Sequence, residues 1–576
     1  MKLIEALRIA GRNPSPETAP RARFLFACGF TPLHAVAFLK AHLIAALPDR
    51  HVEINTGLYG DLAGSLERLD TAGLQGAAVI VEWPDLDPRL GLRQLGGWAP
   101  SLFNEIAASA EAVAGRLGQA LERVADTIPV ALCLPALALP PLGFTPGGQA
   151  SEWELRVEAI AQELARRAAA HGRIRLVHAG RLAAISAPAS RLDAKSDLMA
   201  GFPYTAAHAE AVSRMLAALL APAAPKKGLI TDLDDTMWAG ILGEEGVEGV
   251  WWDLEHKAQI HGLYQQFLQS LSERGVLLGV ASKNDAALAG QALGRDGLQV
   301  ESKRLFPVEA NWGPKSESIR RILGTWNVGA DSVVFIDDSP MELAEVSAAL
   351  PEVECIRFPK EDPAAVLELL ETLRDRFGKP FLSAEDALRA ESLRGTARLA
   401  AAAGGGQTPD AVLAALEAEV TFRLAPDVSD ARALELVNKT NQFNLNGRRV
   451  SEAEWRERLA DPAAVLLTVA YRDKFGPAGK IAVVFGKKAG RELLIDAWVL
   501  SCRVFSRRIE QQTLRYLFDK LDIEAIRFDF TATPRNGPLQ ELFAGFDIQP
   551  PDFILFRERF AGRCPVLFHG VQETSE

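Results

Sequence analysis

The sequence is poor in cysteine, and it has no excess of basic residues. Its 576 residues include five cysteines, which are Cys28, Cys133, Cys355, Cys502 and Cys564. No two of them stand at CxxC spacing. An odd number of scattered cysteines predicts neither a disulfide framework nor a structural zinc site. The formal net charge is −11. We therefore expect no broad basic face and no nucleic-acid partner.

The chain also lacks any stretch with the composition of a membrane span. Its longest apolar runs, such as IPVALCLPALALPPLG at 128–143, are interrupted by proline and are too short to cross a bilayer. The first residues, MKLIEALRIAGRN, have no apolar core of the kind found in signal peptides. Apolar residues make up 48% of the chain and charged residues 24%, as in globular proteins. We predict a cytoplasmic protein with no membrane partner.

Two stretches rich in alanine, proline or glycine predict domain boundaries. APAAPKKG ends at Gly228, and AAAGGGQTPD ends at Asp410. They divide the chain into segments 1–222, 223–400 and 401–576. In the first two segments apolar strands alternate with amphipathic helices, which predicts α/β domains built on parallel sheets. The third segment has a helix, three strands, a long helix and a further strand, which predicts an α+β domain.

Acidic and polar residues in the central segment stand at the ends of predicted elements. GLITDLDDTMW places Asp232 and Asp234 at the end of an apolar strand, and GVLLGVASKND places Ser282 at the end of another. NWGPKSESI places Lys315 at the start of a helix, and SVVFIDDSPMELAEV has a strand ending at Asp337. Because ligands of α/β proteins bind at the carboxyl ends of parallel strands, we expect these residues to share one site.

The residue types at this edge have a common chemistry, the transfer of a phosphoryl group. One carboxylate can attack phosphorus and form an aspartyl-phosphate, while a second protonates the leaving oxygen. Serine and lysine supply hydrogen bonds and positive charge to the phosphate oxygens, and clustered carboxylates need a hard cation such as Mg²⁺. Taken singly, Ser282 or Lys315 is also typical of a solvated loop, and Asp337 of a helix cap. The ordered set favours the catalytic interpretation.

This ordered set resembles the haloacid-dehalogenase superfamily over the middle segment. The resemblance implies that Asp232 is the nucleophile and Asp234 the general acid/base. It implies that Ser282 and Lys315 contact the phosphate. It also implies that Mg²⁺ lies between the Asp232 carboxylate, the backbone carbonyl of Asp234 and the Asp337 carboxylate.

The spacing of these residues leaves no room for a large cap domain. Asp232 and Ser282 are 50 positions apart, and Ser282 and Lys315 are 33 apart. We therefore expect an open site, covered by another domain or by a macromolecular partner. Asp338, next to Asp337, is expected to support the metal site without ligating the metal directly.

Three strings in the third segment point to a more specific family within this superfamily. They are NKTNQFNLNGRRVSEAEW, YRDKFGPAGKIAVVFG and ELLIDAWVLSCRVFSRRIEQ. Together with LEHKAQIHGLYQQFL and ASKND they resemble FkbH-like proteins over about residues 225–560. This resemblance implies an enzyme that dephosphorylates 1,3-bisphosphoglycerate and loads a glyceryl unit as a thioester on an acyl carrier protein. The alternatives are a plain Mg²⁺-dependent phosphatase acting on a small metabolite or sugar phosphate, and an assembly protein with a vestigial site.

The third segment is also similar to the N-acetyltransferase (GNAT) fold. In that fold a glycine-rich turn binds coenzyme A at a helix start, but CRVFSRRIEQ has no glycine there. Arg503, Arg507 and Arg508 are predicted to meet a phosphate or a phosphopantetheine arm, or else to form a basic surface. Cys502 is predicted to carry the acyl group, because nearby arginines and a helix start would favour its thiolate. The alternative for Cys502 is a packed core cysteine.

A further polar group near a predicted helix end has two interpretations. Asn441, Gln442 and Asn444 are typical of helix capping and turn formation, and contact with substrate is the alternative.

The first segment resembles SGNH hydrolases. Its first strand ends in Cys28-Gly29-Phe30, where an active member would have Gly-Asp-Ser. Thr205 stands three positions before His208, where an active member would have an aspartate. Because the nucleophile is missing, we predict a structural or partner-binding domain, with a Cys28–His208 catalytic pair as the alternative.

Overall fold

The computed structural model describes the chain apart from residues 15–18, 142–144, 380–408, 428–429, 441–442, 475, 502–503, 506, 534–535 and 575–576. The chain forms two compact units, residues 1–223 with 451–453, and residues 224–450 with 454–576. The predicted linker at 401–410 lies outside the described residues except for Pro409 and Asp410. The division into segments 1–222, 223–400 and 401–576 stays a prediction.

The first unit contains a five-stranded parallel sheet in the order β2-β1-β3-β4-β5. Its strands are β1 Arg21–Ala27, β2 His51–Thr56, β3 Leu74–Ile80, β4 Val130–Cys133 and β5 Ile174–Leu176. Its helices are α1 Leu3–Ala10, α2 Leu33–Ala46, α3 Leu62–Glu67, α4 Trp83–Leu86, α5 Phe103–Ala125, α6 Glu152–Ala170, α7 Ala179–Ile185, α8 Ala194–Ala200 and α9 Ala206–Leu220. Separate apolar clusters form two cores of this unit. This is the arrangement expected for strands that read as continuous apolar runs.

The second unit opens with another parallel sheet, in the order β10-β9-β6-β7-β8. Its strands are β6 Gly228–Thr231, β7 Leu277–Ser282, β8 Leu305–Ala310, β9 Val333–Asp337 and β10 Glu354–Arg357. Its helices are α10 Leu242–Glu245, α11 Gln259–Glu273, α12 Ala286–Leu293, α13 Lys315–Trp326, α14 Pro340–Ala349 and α15 Pro363–Phe377. Strand β6 lies between β7 and β9, so the three strands that carry predicted site residues are neighbours.

One helix of this part begins later than its sequence pattern predicts. The apolar periodicity of LEHKAQIHGLYQQFLQSLSERG favours a helix from residue 254, but α11 starts at Gln259. Lys257 has a backbone φ of 58°. A left-handed residue cannot continue a right-handed helix, so residues 254–257 form a turn before the helix begins.

The remaining elements surround a seven-stranded mixed sheet in the order β16-β15-β14-β13-β12-β11-β17. Its strands are β11 Glu419–Leu424, β12 Ala464–Asp473, β13 Gly476–Ala489, β14 Glu492–Leu500, β15 Ala525–Phe528, β16 Ile554–Phe556 and β17 Gly570–Glu573. The helices of this part of the chain are α16 Pro409–Ala414, α17 Ala431–Lys439, α18 Glu452–Leu459, α19 Ile509–Leu521, α20 Gly537–Gly545 and α21 Arg557–Arg563. Strands β11 to β14 are antiparallel, whereas β14 and β15 are parallel.

These three sheets confirm the predicted fold class. The first two segments have parallel α/β sheets, and the third has the mixed sheet of an α+β domain. Among the helices that the structure describes, none combines the length and the apolar character needed to cross a membrane.

Candidate functional site

The carboxyl edge of the second parallel sheet gathers the predicted central residues. Asp232 directly follows β6, and its backbone N–H donates to the carbonyl of Ile336 at 2.9 Å. Ser282 ends β7 and Asp337 ends β9, the two strands on either side of β6. The adjacency of these strands in the sheet explains why residues that are far apart in sequence share one site.

Lys315, the first residue of α13, lies between two of the carboxylates. Its Nζ is 2.9 Å from Asp232 Oδ2 and 2.6 Å from Asp337 Oδ2, and its side chain is 4% exposed. Burial alone would lower the pKa of Lys315, but attraction to the two carboxylates outweighs it and raises the pKa. Lys315 is therefore a buried, charged ammonium that bridges Asp232 and Asp337.

The two carboxylates beside Lys315 carry more negative charge than one lysine can balance. Burial, together with the neighbouring Asp337, raises the pKa of Asp232 to about 7, against the opposing effect of Lys315. Burial also raises the pKa of Asp337, although Lys315 and the Ser339 N–H, which donates to Asp337 Oδ1 at 2.9 Å, oppose it. An additional cation would relieve this excess of negative charge.

The donor set at this edge fits a divalent metal ion. Carboxylate oxygens of Asp232, Asp337 and Asp338 all lie within 4.8 Å of one another. Asp232 Oδ1 is buried and has no hydrogen-bond partner among the described residues. Hard oxygen donors of this kind suit Mg²⁺. The sequence assigned Asp338 only a supporting role, yet its carboxylate belongs to this group. The ligand set of Asp232, Asp234 and Asp337 stays a prediction.

The Asp234 carboxylate is bonded both to the segment that follows it and to Asn284. Its Oδ1 accepts hydrogen bonds from Trp238 Nε1 at 3.0 Å and from the Leu242 backbone N–H at 3.1 Å. Its Oδ2 accepts one from Asn284 Nδ2 at 3.1 Å. Three donors thus fix the orientation of this carboxylate.

Two residues that sequence reasoning missed hold the predicted residues in place. Asn284 is 2% exposed, and its Nδ2 donates to Ser282 Oγ at 3.1 Å as well as to Asp234. Lys360 Nζ lies 2.6 Å from Asp235 Oδ2 and 2.8 Å from Asp338 Oδ2. The ASKND string placed Asn284 just after a strand end, and that position was the one available indication of its role. Nothing comparable marked Lys360.

The segment over residues 238–250, here called the flap, lies directly after the acidic motif. It contains α10, and Ala239 near its start pairs with Trp251, the residue after its end. Arg295 Nη1 donates to the carbonyls of Val247 at 2.9 Å and Val250 at 2.6 Å. The chain between Asp232 and Lys315, all of it described, contains this flap and elements of the sheet domain but no cap domain.

Several residues predicted for the third segment lie outside the described residues. These are Cys502, Arg503, Asn441 and Gln442. Asn444 is described and buried, and it donates to the Thr440 carbonyl at 3.0 Å and accepts from the Gly447 N–H at 2.9 Å. These bonds are those of a capping and turn residue.

The two described arginines of this group have partners within the protein. Arg507 is 4% exposed, pairs with Asp473 at 2.8 Å and lies over the Tyr471 ring at 4.9 Å. Arg508 pairs with Asp410 at 2.6 Å. Arg507 is buried and is therefore not part of a basic surface, and the interpretation of Arg507 and Arg508 as phosphate contacts stays a prediction.

In the first unit, Cys28 and His208 make separate hydrogen bonds. The Cys28 thiol donates to the Phe30 carbonyl at 3.1 Å, and His208 Nδ1 is 2.9 Å from Ser186 Oγ. Burial raises the pKa of the Cys28 thiol well above its ordinary value, and burial with nearby Arg191 lowers the pKa of His208 to about 3. Neither residue is therefore charged at neutral pH, as a thiolate–imidazolium pair would require.

Comparison with known proteins finds similarity to a solved structure but not to a protein family. No protein-family model matches the chain, and no curated protein matches it. One similar solved structure is the N-terminal part of the protein BF1531 from Bacteroides fragilis, which contains a phosphatase domain and was crystallised in complex with Mg. It is 20% identical, covers 66% of this chain and 100% of its own, and superposes with a TM-score of 0.52. This likeness shows a shared fold.

Proposed function

We propose that the chain is a Mg²⁺-dependent phosphatase of the haloacid-dehalogenase type, acting on a phosphorylated small molecule in the cytoplasm. The observation that carries the proposal is the placement of Asp232. Its carboxylate is buried at the end of the central strand, with Oδ2 on Lys315 and Oδ1 without a hydrogen-bond donor in the part of the chain that the structure describes. A nucleophile needs an oxygen that is oriented and not masked by donors, and Asp232 has one.

The arrangement supports a two-step reaction. Asp232 attacks phosphorus and forms an aspartyl-phosphate. The bond between phosphorus and the leaving oxygen breaks, that oxygen keeps the electron pair of the bond, and Asp234 gives it a proton. Water then attacks the aspartyl-phosphate while Asp234 takes up a proton from it, and the bond between phosphorus and Asp232 breaks to release phosphate. Ser282 and Lys315 contact the phosphate oxygens.

A bound Mg²⁺ ion would be held by Asp232 and Asp337, together with the Asp234 carbonyl or Asp338. It would neutralise charge on the phosphate during transfer. Two observations support this cofactor: the three clustered carboxylates, and the Mg complex of the Bacteroides fragilis protein that shares the fold.

Removal of divalent metal is expected to abolish phosphate release. Without the cation, the carboxylates around Asp232 repel an anionic substrate, and nothing neutralises the transferred group. The measurement is release of inorganic phosphate from a panel of small phosphate esters and acyl phosphates, before and after EDTA treatment and after readdition of Mg²⁺. Full activity in the metal-free protein would contradict the proposed cofactor.

The finer proposal is that this enzyme passes an acyl group to a carrier protein. The resemblance of the central and third segments to FkbH-like proteins supports 1,3-bisphosphoglycerate, or a related acyl phosphate, as substrate and an acyl carrier protein as partner. The absence of a cap between Asp232 and Lys315 is compatible with a macromolecular partner. Incubation with 1,3-bisphosphoglycerate and a panel of carrier proteins, read by intact mass, separates this activity from plain phosphate hydrolysis.

In the acyl-transfer proposal Cys502 carries the glyceryl group as a thioester. The Cys502 thiolate attacks the acyl carbon and the acyl phosphate group leaves as inorganic phosphate, while the Asp232 site hydrolyses the remaining phosphate ester. The thiol of the carrier then attacks the thioester, and Cys502 leaves as the thiolate. We expect a hydroxylamine-labile glyceryl adduct on the wild-type protein and none on Cys502→Ala or Cys502→Ser, measured by intact-protein mass spectrometry. Phosphate release that depends on Asp232 should survive in both variants.

Cys564 offers a matched control in the same segment. Its thiol is half-buried, and burial raises its pKa despite nearby Arg515, so Cys564→Ala should keep the adduct. An adduct that persists in both folded Cys502 variants would show that another residue carries the acyl group. Phosphate release without any adduct or carrier dependence would favour the plain phosphatase.

A further inference from the structure

We infer that Asn284 is a positioning residue that couples the proposed general acid/base Asp234 to the phosphate contact Ser282. The inference rests on the proposed phosphatase function and deepens it. A single buried amide nitrogen donates to both partners, with 3.1 Å from Asn284 Nδ2 to Asp234 Oδ2 and 3.1 Å to Ser282 Oγ. One side chain thus links the group that handles the proton to a group that binds the phosphate.

The orientation of the Asn284 amide follows from the chemistry of its partners. The NH₂ end of the amide faces both partners, because a carboxyl oxygen and a hydroxyl oxygen can each accept a hydrogen bond from it. That end has two hydrogens, and Asp234 and Ser282 take one each. The side chain is 2% exposed, so water does not compete for these bonds.

The bond from Asn284 determines what the Ser282 hydroxyl can do. A serine hydroxyl has one hydrogen to donate and lone pairs that accept. Because the oxygen already accepts from Asn284, the hydroxyl hydrogen is left to donate elsewhere, toward the phosphate. Asn284 therefore orients Ser282 as a donor in the site.

The same nitrogen determines which oxygen of Asp234 exchanges the proton. Asp234 Oδ1 already accepts from Trp238 and Leu242, while Oδ2 accepts from Asn284 and from no other described residue. Oδ2 thus retains a lone pair that can carry the proton given to the leaving oxygen and later taken from water. Without Asn284 the carboxylate would keep only its two bonds on the flap side, and Oδ2 would no longer be fixed.

A purely structural role for Asn284 predicts a different outcome. Asn284 immediately precedes Asp285, the N-cap of α12, and substitution there could simply disturb this turn. Such damage would slow all substrates alike. A defect in proton donation slows substrates in proportion to how much their leaving groups need a proton.

The test compares Asn284→Ala with wild type on two phosphate esters, 4-nitrophenyl phosphate and benzyl phosphate, in the presence of Mg²⁺. Nitrophenolate leaves without a proton, whereas the benzyl alkoxide needs one. For benzyl phosphate we expect kcat/KM to fall about tenfold to a hundredfold, a part of the ~10²–10⁴ that one acid/base group contributes. For 4-nitrophenyl phosphate the expected fall is several times smaller.

A double-mutant cycle makes the assignment specific. If Asn284 acts through Asp234, then Asn284→Ala introduced into the Asp234→Asn variant should slow the two esters equally, because the proton donor is already lost. Asn284→Leu keeps about the size of the side chain but can neither donate nor accept a hydrogen bond, and it should show the same leaving-group pattern if the alanine variant fails to fold. Asn438→Ala is the control for loss of a hydrogen-bonded asparagine in another part of the fold, since Asn438 exchanges two hydrogen bonds with the backbone of Val450.

Equal losses on both esters in an active enzyme would overturn the coupling and leave the phosphatase proposal intact. A wild-type protein that releases no phosphate from any ester or acyl phosphate with Mg²⁺ would overturn the proposed function, and this inference with it.

Discussion

Asparagine in place of Asp232 is expected to abolish phosphate release while leaving the fold intact. The amide has nearly the shape of the carboxylate but is a poor nucleophile, so the covalent step is lost. The loss should exceed the ~10²–10⁴ attributable to one acid/base group. The measurement is kcat for Mg²⁺-dependent phosphate release. A variant with near-normal activity would refute the assignment of Asp232 as nucleophile.

The stability of Asp232→Asn separates this loss from unfolding. Burial raises the pKa of Asp232 to about 7, so above pH 7 the folded protein holds an ionised carboxylate at a cost that the unfolded chain does not have. A neutral amide removes that cost. We therefore expect a melting temperature at pH 8, in EDTA, no lower than that of wild type. Asp296→Asn, an exposed aspartate away from the site, is the control and should change neither activity nor melting temperature.

The strand pattern made the central site predictable. Apolar runs ending in Asp232, Ser282 and Asp337 identified three parallel strands, and the structure places these strands side by side. Polar residues at such strand ends have few structural reasons to be there, so function explains them better than packing does. The sequence could therefore predict which residues meet without predicting their distances.

The residues that hold the site together could not be predicted in the same way. Lys360 reaches Asp235 from 125 positions away, and Asn284 reaches Asp234 from 50 positions away. Such contacts depend on loop paths that no local periodicity encodes. The burial of Arg507 could not be predicted for the same reason, because its partner Asp473 is 34 residues distant.

Local patterning also failed at the edges of the mixed sheet. β16 has three residues and β17 has four, all of them exposed in β17. Edge strands this short bury little, so their sequences need not alternate between apolar and polar residues. The long central strands β12 and β14 bury much more and were predicted from their apolar runs.

Methionine in place of Lys315 is expected to destabilise the second unit strongly. The substitution keeps much of the side-chain length but removes the cation between Asp232 and Asp337, whose side chains are 8% and 0% exposed. Breaking a buried ion pair by removing one partner costs about 3–5 kcal/mol, because the other charge stays buried. The measurement is the free energy of unfolding in urea at pH 8 with EDTA. Phosphate release should be lost as well.

The pH dependence of this variant identifies the mechanism of its instability. Without Lys315 the pKa of both buried carboxylates rises further in the folded state, while in the unfolded chain each stays near its ordinary value. The folded protein then binds protons that the unfolded chain does not, so stability should increase as the pH falls from 8 toward 5. The deficit relative to wild type should shrink over the same range.

Two comparisons assign the Lys315→Met deficit to unbalanced charge. Lys315→Met should cost less in an Asp337→Asn background than alone, because one fewer carboxylate is left uncompensated. Mg²⁺ should restore part of the lost stability, since a cation that binds only the folded state stabilises it. Lys303→Met, on an exposed side chain, is the control and should leave the free energy unchanged. If Lys315→Met were as stable as wild type at pH 8 without metal, Lys315 would not be the counter-charge that holds Asp232 and Asp337 together.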